Sequence, residues 1–179
     1  MSYLKTIKPE EASGPVAEIY GTAQERIGLV PAPLQLRSAS PGLMPIAVQA
    51  MGYYMSHPNL SPGLLALIRM LVAEEMGYNY CVSFYGNILK SMGVADDDQL
   101  AAIMADPMKA PVADKEKALL ALVIKVCSEQ EGLEEAEVEK LREMGWQDSD
   151  IYDAVVHGLN MILDGIMEKA FGLPEGAAC

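Results

Sequence analysis

Little in this sequence is basic, aromatic or suited to holding a metal. Lys and Arg number 13 against 25 Asp and Glu, for a formal net charge of −12. Binding a nucleic-acid backbone needs a basic surface, and an anionic membrane attracts basic segments. Neither partner is expected, and the acidity reads as solubility. Histidine occurs twice, at His57 and His157, too sparse for the usual ligand sets. No metal and no cofactor are expected. Cysteine occurs three times, at Cys81, Cys127 and Cys179. The count is odd and the spacing unpaired, so neither a disulfide framework nor a zinc site follows. A reducing, cytoplasmic location is the simplest reading. No apolar run reaches the roughly 18 residues of a spanning helix, and Met1-Ser2-Tyr3-Leu4-Lys5 has no signal-peptide apolar region. Glycine-rich phosphate loops, Ser-His-Asp arrangements and alternating strands are all missing.

What the chain has is helix after helix. Hydrophobic residues make up 51% and aromatics only 6%; Ala, Leu and Met carry the apolar content and favour helix over sheet. Val16, Ile19, Tyr20, Ala23 and Ile27 fall at helical spacing, with Pro15 at the start and Gly28 as the stop. A short helix follows within 29–40, and another runs from Ser40-Pro41 to about Ser56. Ser61-Pro62 opens a helix with a broad apolar face (Leu64, Leu67, Ile68, Leu71, Val72), which should be central. Further helices are expected from Asn79 to Met92, after Asp96, from Asp114, over 134–144, and from Asp148 to about Phe171. Pro174 to Cys179 reads as a disordered tail. The sum is an all-α bundle of about eight to nine helices. One domain is expected over 1–179, with its core at 15–173. Met51, Met55, Met70, Met92, Met104, Met161 and Met167 suit gap-filling core or subunit contacts. An apolar fraction this high in 179 residues points to a homo-oligomer, a dimer or a multiple of one.

The chemistry gathers at Glu74-Glu75-Met76-Gly77-Tyr78-Asn79-Tyr80-Cys81-Val82-Ser83-Phe84-Tyr85, a junction between two helices. Asn79 is a candidate N-cap. Cys81 then lies in a first turn, where the helix dipole favours a thiolate. Tyr78 and Tyr85, three before and four after, share its face. Cys81 is either a redox thiol or a small buried core residue. The tyrosines either fill space or offer phenol donors to a pocket. On the last helix His157, Asn160 and Asp164 form a polar stripe, read first as a solvated face. If it lines a pocket instead, His157 is the best available base. Cys127 belongs to an apolar stripe and reads as structural. Cys179 would meet Cys81 only if the tail folded back.

The run from Leu60-Ser61-Pro62 to Gly93 resembles the core of the alkylhydroperoxidase D / carboxymuconolactone decarboxylase family. Gly28-Leu29-Val30-Pro31, Ser40-Pro41 and Asp114-Lys115-Glu116-Lys117-Ala118-Leu119-Leu120 resemble its longer, peroxidase-related branch. The resemblance implies an AhpD-like helical fold that assembles through apolar faces. Redox members carry Glu-x11-Cys-x2-Cys-x3-His. Laid on this chain, the second cysteine falls on Cys81, the first on Tyr78, the histidine on Tyr85 and the glutamate on Ala66. The resemblance therefore implies an antioxidant oxidoreductase acting on hydroperoxides through a single redox cysteine, Cys81, with weakened or lost activity. Two alternatives stand beside it. One is a non-catalytic scaffold binding a small apolar ligand or a partner protein; the other is a lyase or decarboxylase of the lactone-processing branch.

Overall fold

The computed structural model describes residues 2–129 and 132–173, and the expected disordered tail lies outside them. Nine α-helices are present among these residues, with short 3-10 turns at Pro9–Glu11 and Pro107–Lys109 and no strand. They are α1 Gly14–Ile27, α2 Ala32–Arg37, α3 Met44–Met55, α4 Pro62–Glu75, α5 Asn79–Ser91, α6 Asp97–Ala105, α7 Asp114–Glu129, α8 Glu135–Glu143 and α9 Asp148–Ala170. Two compact units emerge, one of residues 1–57 with 164–179, the other of residues 58–163. No described helix is long and apolar enough to cross a membrane.

In the first unit, Val16 and Tyr20 of α1 pack against Met44 of α3, flanked by Ile7, Ile19, Val30 and Leu34. The segment before α1 is tied down by hydrogen bonds. The Ile7 N–H donates to Ser38 Oγ at 2.8 Å, and the Tyr20 hydroxyl donates to Ile7 O at 2.9 Å. Arg37 at the end of α2 pairs with Asp164. Glu168, one turn further on, has its carboxyl pushed up to about 7 by burial and by the Asp164 carboxylate, partly offset by Arg37.

The second unit is built on α4. Ser61 caps it by accepting the Leu64 N–H at 3.1 Å, and its hydroxyl donates to Glu116 Oε1 at 2.7 Å. Asn59 Nδ2 donates to Asp150 Oδ1 at 3.0 Å, which ties the loop before α4 to the start of α9. Nine of the residues from Leu64 to Ala73 are buried, Arg69 being the exception, so the expected central helix is found. α5 and α7 pack against it.

Gly158 sets how closely α9 can approach. A methyl group there would lie 2.8 Å from Val123 Cγ1, 2.9 Å from Cys127 Sγ and 3.5 Å from Ile68 Cγ2, the first two inside van der Waals contact. Both close neighbours are deeply buried on α7. Gly158→Ala is therefore expected to destabilise the protein by about 1–3 kcal/mol through overpacking. A fall in the urea midpoint checks this; an unchanged midpoint would mean that α7 and α9 can part freely.

The methionines divide as gap-fillers and surface residues. Met70 and Met161 are buried, whereas Met51, Met55, Met92, Met104 and Met167 are exposed.

Candidate functional site

The junction of α4 and α5 is made by backbone geometry. α4 ends at Glu75 with Met76 as its C-cap, and Gly77 follows with φ 70°, a left-handed conformation open to glycine. The Tyr78 N–H then bonds Ala73 O at 2.8 Å and the Gly77 N–H bonds Glu74 O at 3.0 Å. This is the paired closure of a Schellman motif. It turns the chain so tightly that α5 begins at Asn79. The N-cap is therefore Tyr78, not Asn79, and Tyr78 makes no side-chain cap. The sequence rule for caps favours Asn, but the Schellman closure fixes where the chain can re-enter a helix. Tyr78 accordingly stands outside the helix, half-buried.

Cys81 is in the first turn of α5, 4% exposed. Its burial fits both readings of this residue. Cys81 is disulfide-bonded, while Cys127 is a free, buried thiol. The cysteine spacing suggests no such bond, and that expectation is corrected: spacing along a chain does not set how sulfurs approach in the fold. Cys179 lies outside the described residues. Burial pushes the Cys127 thiol up to about 11, so it stays protonated and inert, in line with a structural role.

Tyr85 is half-buried one turn after Cys81, edge-to-face with Phe84 at 5.2 Å between ring centroids. Ala66 is buried on α4. His157 is buried as well, so the polar stripe is not a solvated face at this position. Its Nε2 lies 3.3 Å from Leu65 O, the carbonyl next to Ala66. Burial first, and then the nearby Arg69 guanidinium, push the imidazole down to about 3, partly offset by the bond to Leu65. A neutral ring with so acidic a conjugate acid accepts protons poorly at neutral pH. The fold thus brings His157 to the turn of α4 that holds Ala66, and sets Cys81 and Tyr78 at the α4–α5 junction.

Arg69 is the residue that sequence reasoning passed over. Its Nη1 donates to Met161 Sδ at 3.7 Å, and its charge bears on His157. A lone cation inside the apolar run of α4 was the available signal. Among the described residues, no three His, Cys, Asp or Glu side chains converge as metal ligands.

No protein-family model matches the sequence, and no curated protein matches it. Solved structures do match. A peroxidase-related protein from Ralstonia eutropha, described as an alkylhydroperoxidase AhpD core, aligns with a TM-score of 0.80 at 20% identity, over 97% of this chain and 92% of its own. A peroxidase-related protein from a Silicibacter species aligns with a TM-score of 0.75 at 19% identity, over 99% of this chain and 98% of its own. This is the AhpD-core fold. The all-α expectation and the AhpD-like resemblance agree with it. In this AhpD-core chain, the positions that the resemblance assigns to redox chemistry sit where the α4–α5 turn and the buried face of α4 put them. Three of the four carry other residues.

Proposed function

We propose that this chain is a peroxidase-related oxidoreductase in which Cys81 is the redox sulfur. The supporting observation is its place: buried, in the first turn of α5, on an AhpD-core fold. In the reduced protein the α5 N-terminus favours the thiolate. The thiolate attacks the distal oxygen of a hydroperoxide, the O–O bond breaks, and the alkoxide leaves with a proton as an alcohol. Cys81 becomes a sulfenic acid. An external thiol then forms a mixed disulfide and releases water, and a second external thiol returns Cys81 to its reduced state. One hydroperoxide is reduced and two thiols are oxidised.

Turnover should be slow. Tyr85 has a reference pKa of about 10 and is no base near neutrality. His157, pushed down to about 3, is a weak one. That same observation favours a second reading, a scaffold that binds a small apolar molecule or a partner protein without catalysis.

A thiol-dependent assay with an organic hydroperoxide separates the two. Cys81→Ser should lower the rate at least about tenfold, because the thiolate is the only nucleophile in the scheme. Equal rates for the wild type and Cys81→Ser would remove Cys81 from the chemistry and leave the scaffold reading.

A further inference from the structure

Residues 2–7 run between two docking points in the first unit. At one, the Tyr3 N–H donates to Phe171 O at 2.9 Å, just past the end of α9. The Tyr3 ring lies against Gly172, where an added methyl group would stand 2.4 Å from Tyr3 Cζ. That seat is the closing turn of α9. Gly172 has φ 69°, its N–H donates to Lys169 O at 3.3 Å, and the Leu173 N–H donates to Glu168 O at 2.9 Å. This is a second Schellman closure. Tyr3 is otherwise 81% exposed. The other end is the firmer one, since Ile7 is held both by Ser38 and by Tyr20. Ser38 directly follows Arg37, and Arg37 pairs with Asp164. One ion pair thus joins the two elements on which the segment docks. Asp164, Glu168 and Gly172 follow at four-residue steps along α9 and its closing turn, so Glu168 stands between the ion pair and the seat of Tyr3.

We infer that residues 2–7 are a strap governed by one proton: docked while Glu168 is protonated, and released at the Tyr3 end when Glu168 ionises. The placement makes an ionised Glu168 costly in two ways. It lies one turn from the Asp164 carboxylate on the same helix, where like charges repel. It also lies in the last turn of α9, at the negative pole of the helix dipole. Arg37 offsets this only in part, because Asp164 already holds its guanidinium. Lys169, next to Glu168, is exposed, as are Lys5 and Lys8 of the incoming segment, and Lys8 pairs with Glu11. Burial, together with Asp164, raises the carboxyl to about 7, which sets the pH of release. An ionised Glu168 gains by turning into water, and its own carbonyl is part of the closure that seats Tyr3. Loosening that turn frees Tyr3, whereas Ile7 stays held from α1 and α2. The inference does not depend on the redox reading of Cys81.

Amide hydrogen exchange of the full chain tests it, followed over residues 2–8 and scaled at each pH to the rate of an unstructured peptide. Protection there should fall about tenfold or more from pH 5.5 to pH 8.5, with a midpoint near 7, because an opening that frees the carboxyl grows by up to about tenfold per pH unit below that point. Protection over α4 should hold, since the opening is local. Glu168→Gln, which keeps the shape and removes the charge, should leave the strap protected at both pH values. Gly172→Ala should lose the protection already at pH 5.5, because the added methyl displaces the Tyr3 ring. Equal strap protection at both pH values in the wild type would overturn the inference. So would a Glu168→Gln variant that shows the wild-type fall, a Gly172→Ala strap as protected as the wild type's, or a loss that extends equally to α4.

Discussion

His157→Gln is expected to abolish most of the loss of stability that the wild type suffers between pH 6.5 and pH 3. The folded imidazole is pushed down to about 3, chiefly by burial, against an ordinary value of 6.5. The folded state therefore refuses a proton that the unfolded chain accepts. The stability tied to this group is complete above pH 6.5 and drains away as pH falls towards 3. The full drop is on the order of 5 kcal/mol, at about 1.4 kcal/mol per pH unit. Glu168 works in the opposite sense. Its carboxyl is raised to about 7, so its contribution is complete below about pH 4.5 and is lost as pH rises through 7. Between pH 4.5 and 6.5 the two slopes oppose, and a broad plateau should appear. Urea titrations at several pH values resolve them. His157→Gln should flatten the acid side, and Glu168→Gln should gain stability only on the neutral and alkaline side. Parallel curves for wild type and His157→Gln would mean that the imidazole is solvated after all.

The helices were legible because their signals are local. Ser61-Pro62, Asp96 with Gln99, and the glycines that close α1, α4 and α5 mark ends that need no tertiary information. The all-round burial of α4 was foreshadowed by its broad apolar face. The site was less legible because its features come from approach. Tyr78 became the cap because the Schellman closure that its own N–H completes set the re-entry point. His157 could be read as wet or buried until Gly158 was seen to draw α9 against α7. The bonded state of Cys81 had no counterpart in the cysteine spacing. Arg69 drew no reading from the sequence, although it helps hold His157 neutral.

Restoring the missing groups should change activity most. Tyr78→Cys supplies a thiol three residues before Cys81, at the half-buried N-cap of α5. Tyr85→His supplies a base that titrates near neutrality, one turn along the same face. Ala66→Glu places a carboxylate on the buried side of α4, three residues before Arg69. Burying that carboxylate costs stability unless it is paired, and the i,i+3 spacing to Arg69 offers the pairing. The triple variant, assayed from the reduced state, should turn over hydroperoxide on the order of a hundredfold faster than the wild type, the scale of a positioned acid–base group. No single change should suffice, because attack, proton transfer and resolution act as a unit. A folded triple variant that joins its introduced thiol to Cys81 yet fails to turn over would show that peroxide no longer reaches the sulfur. The buried setting of Cys81 would then serve packing, and the scaffold reading would replace the enzymatic one.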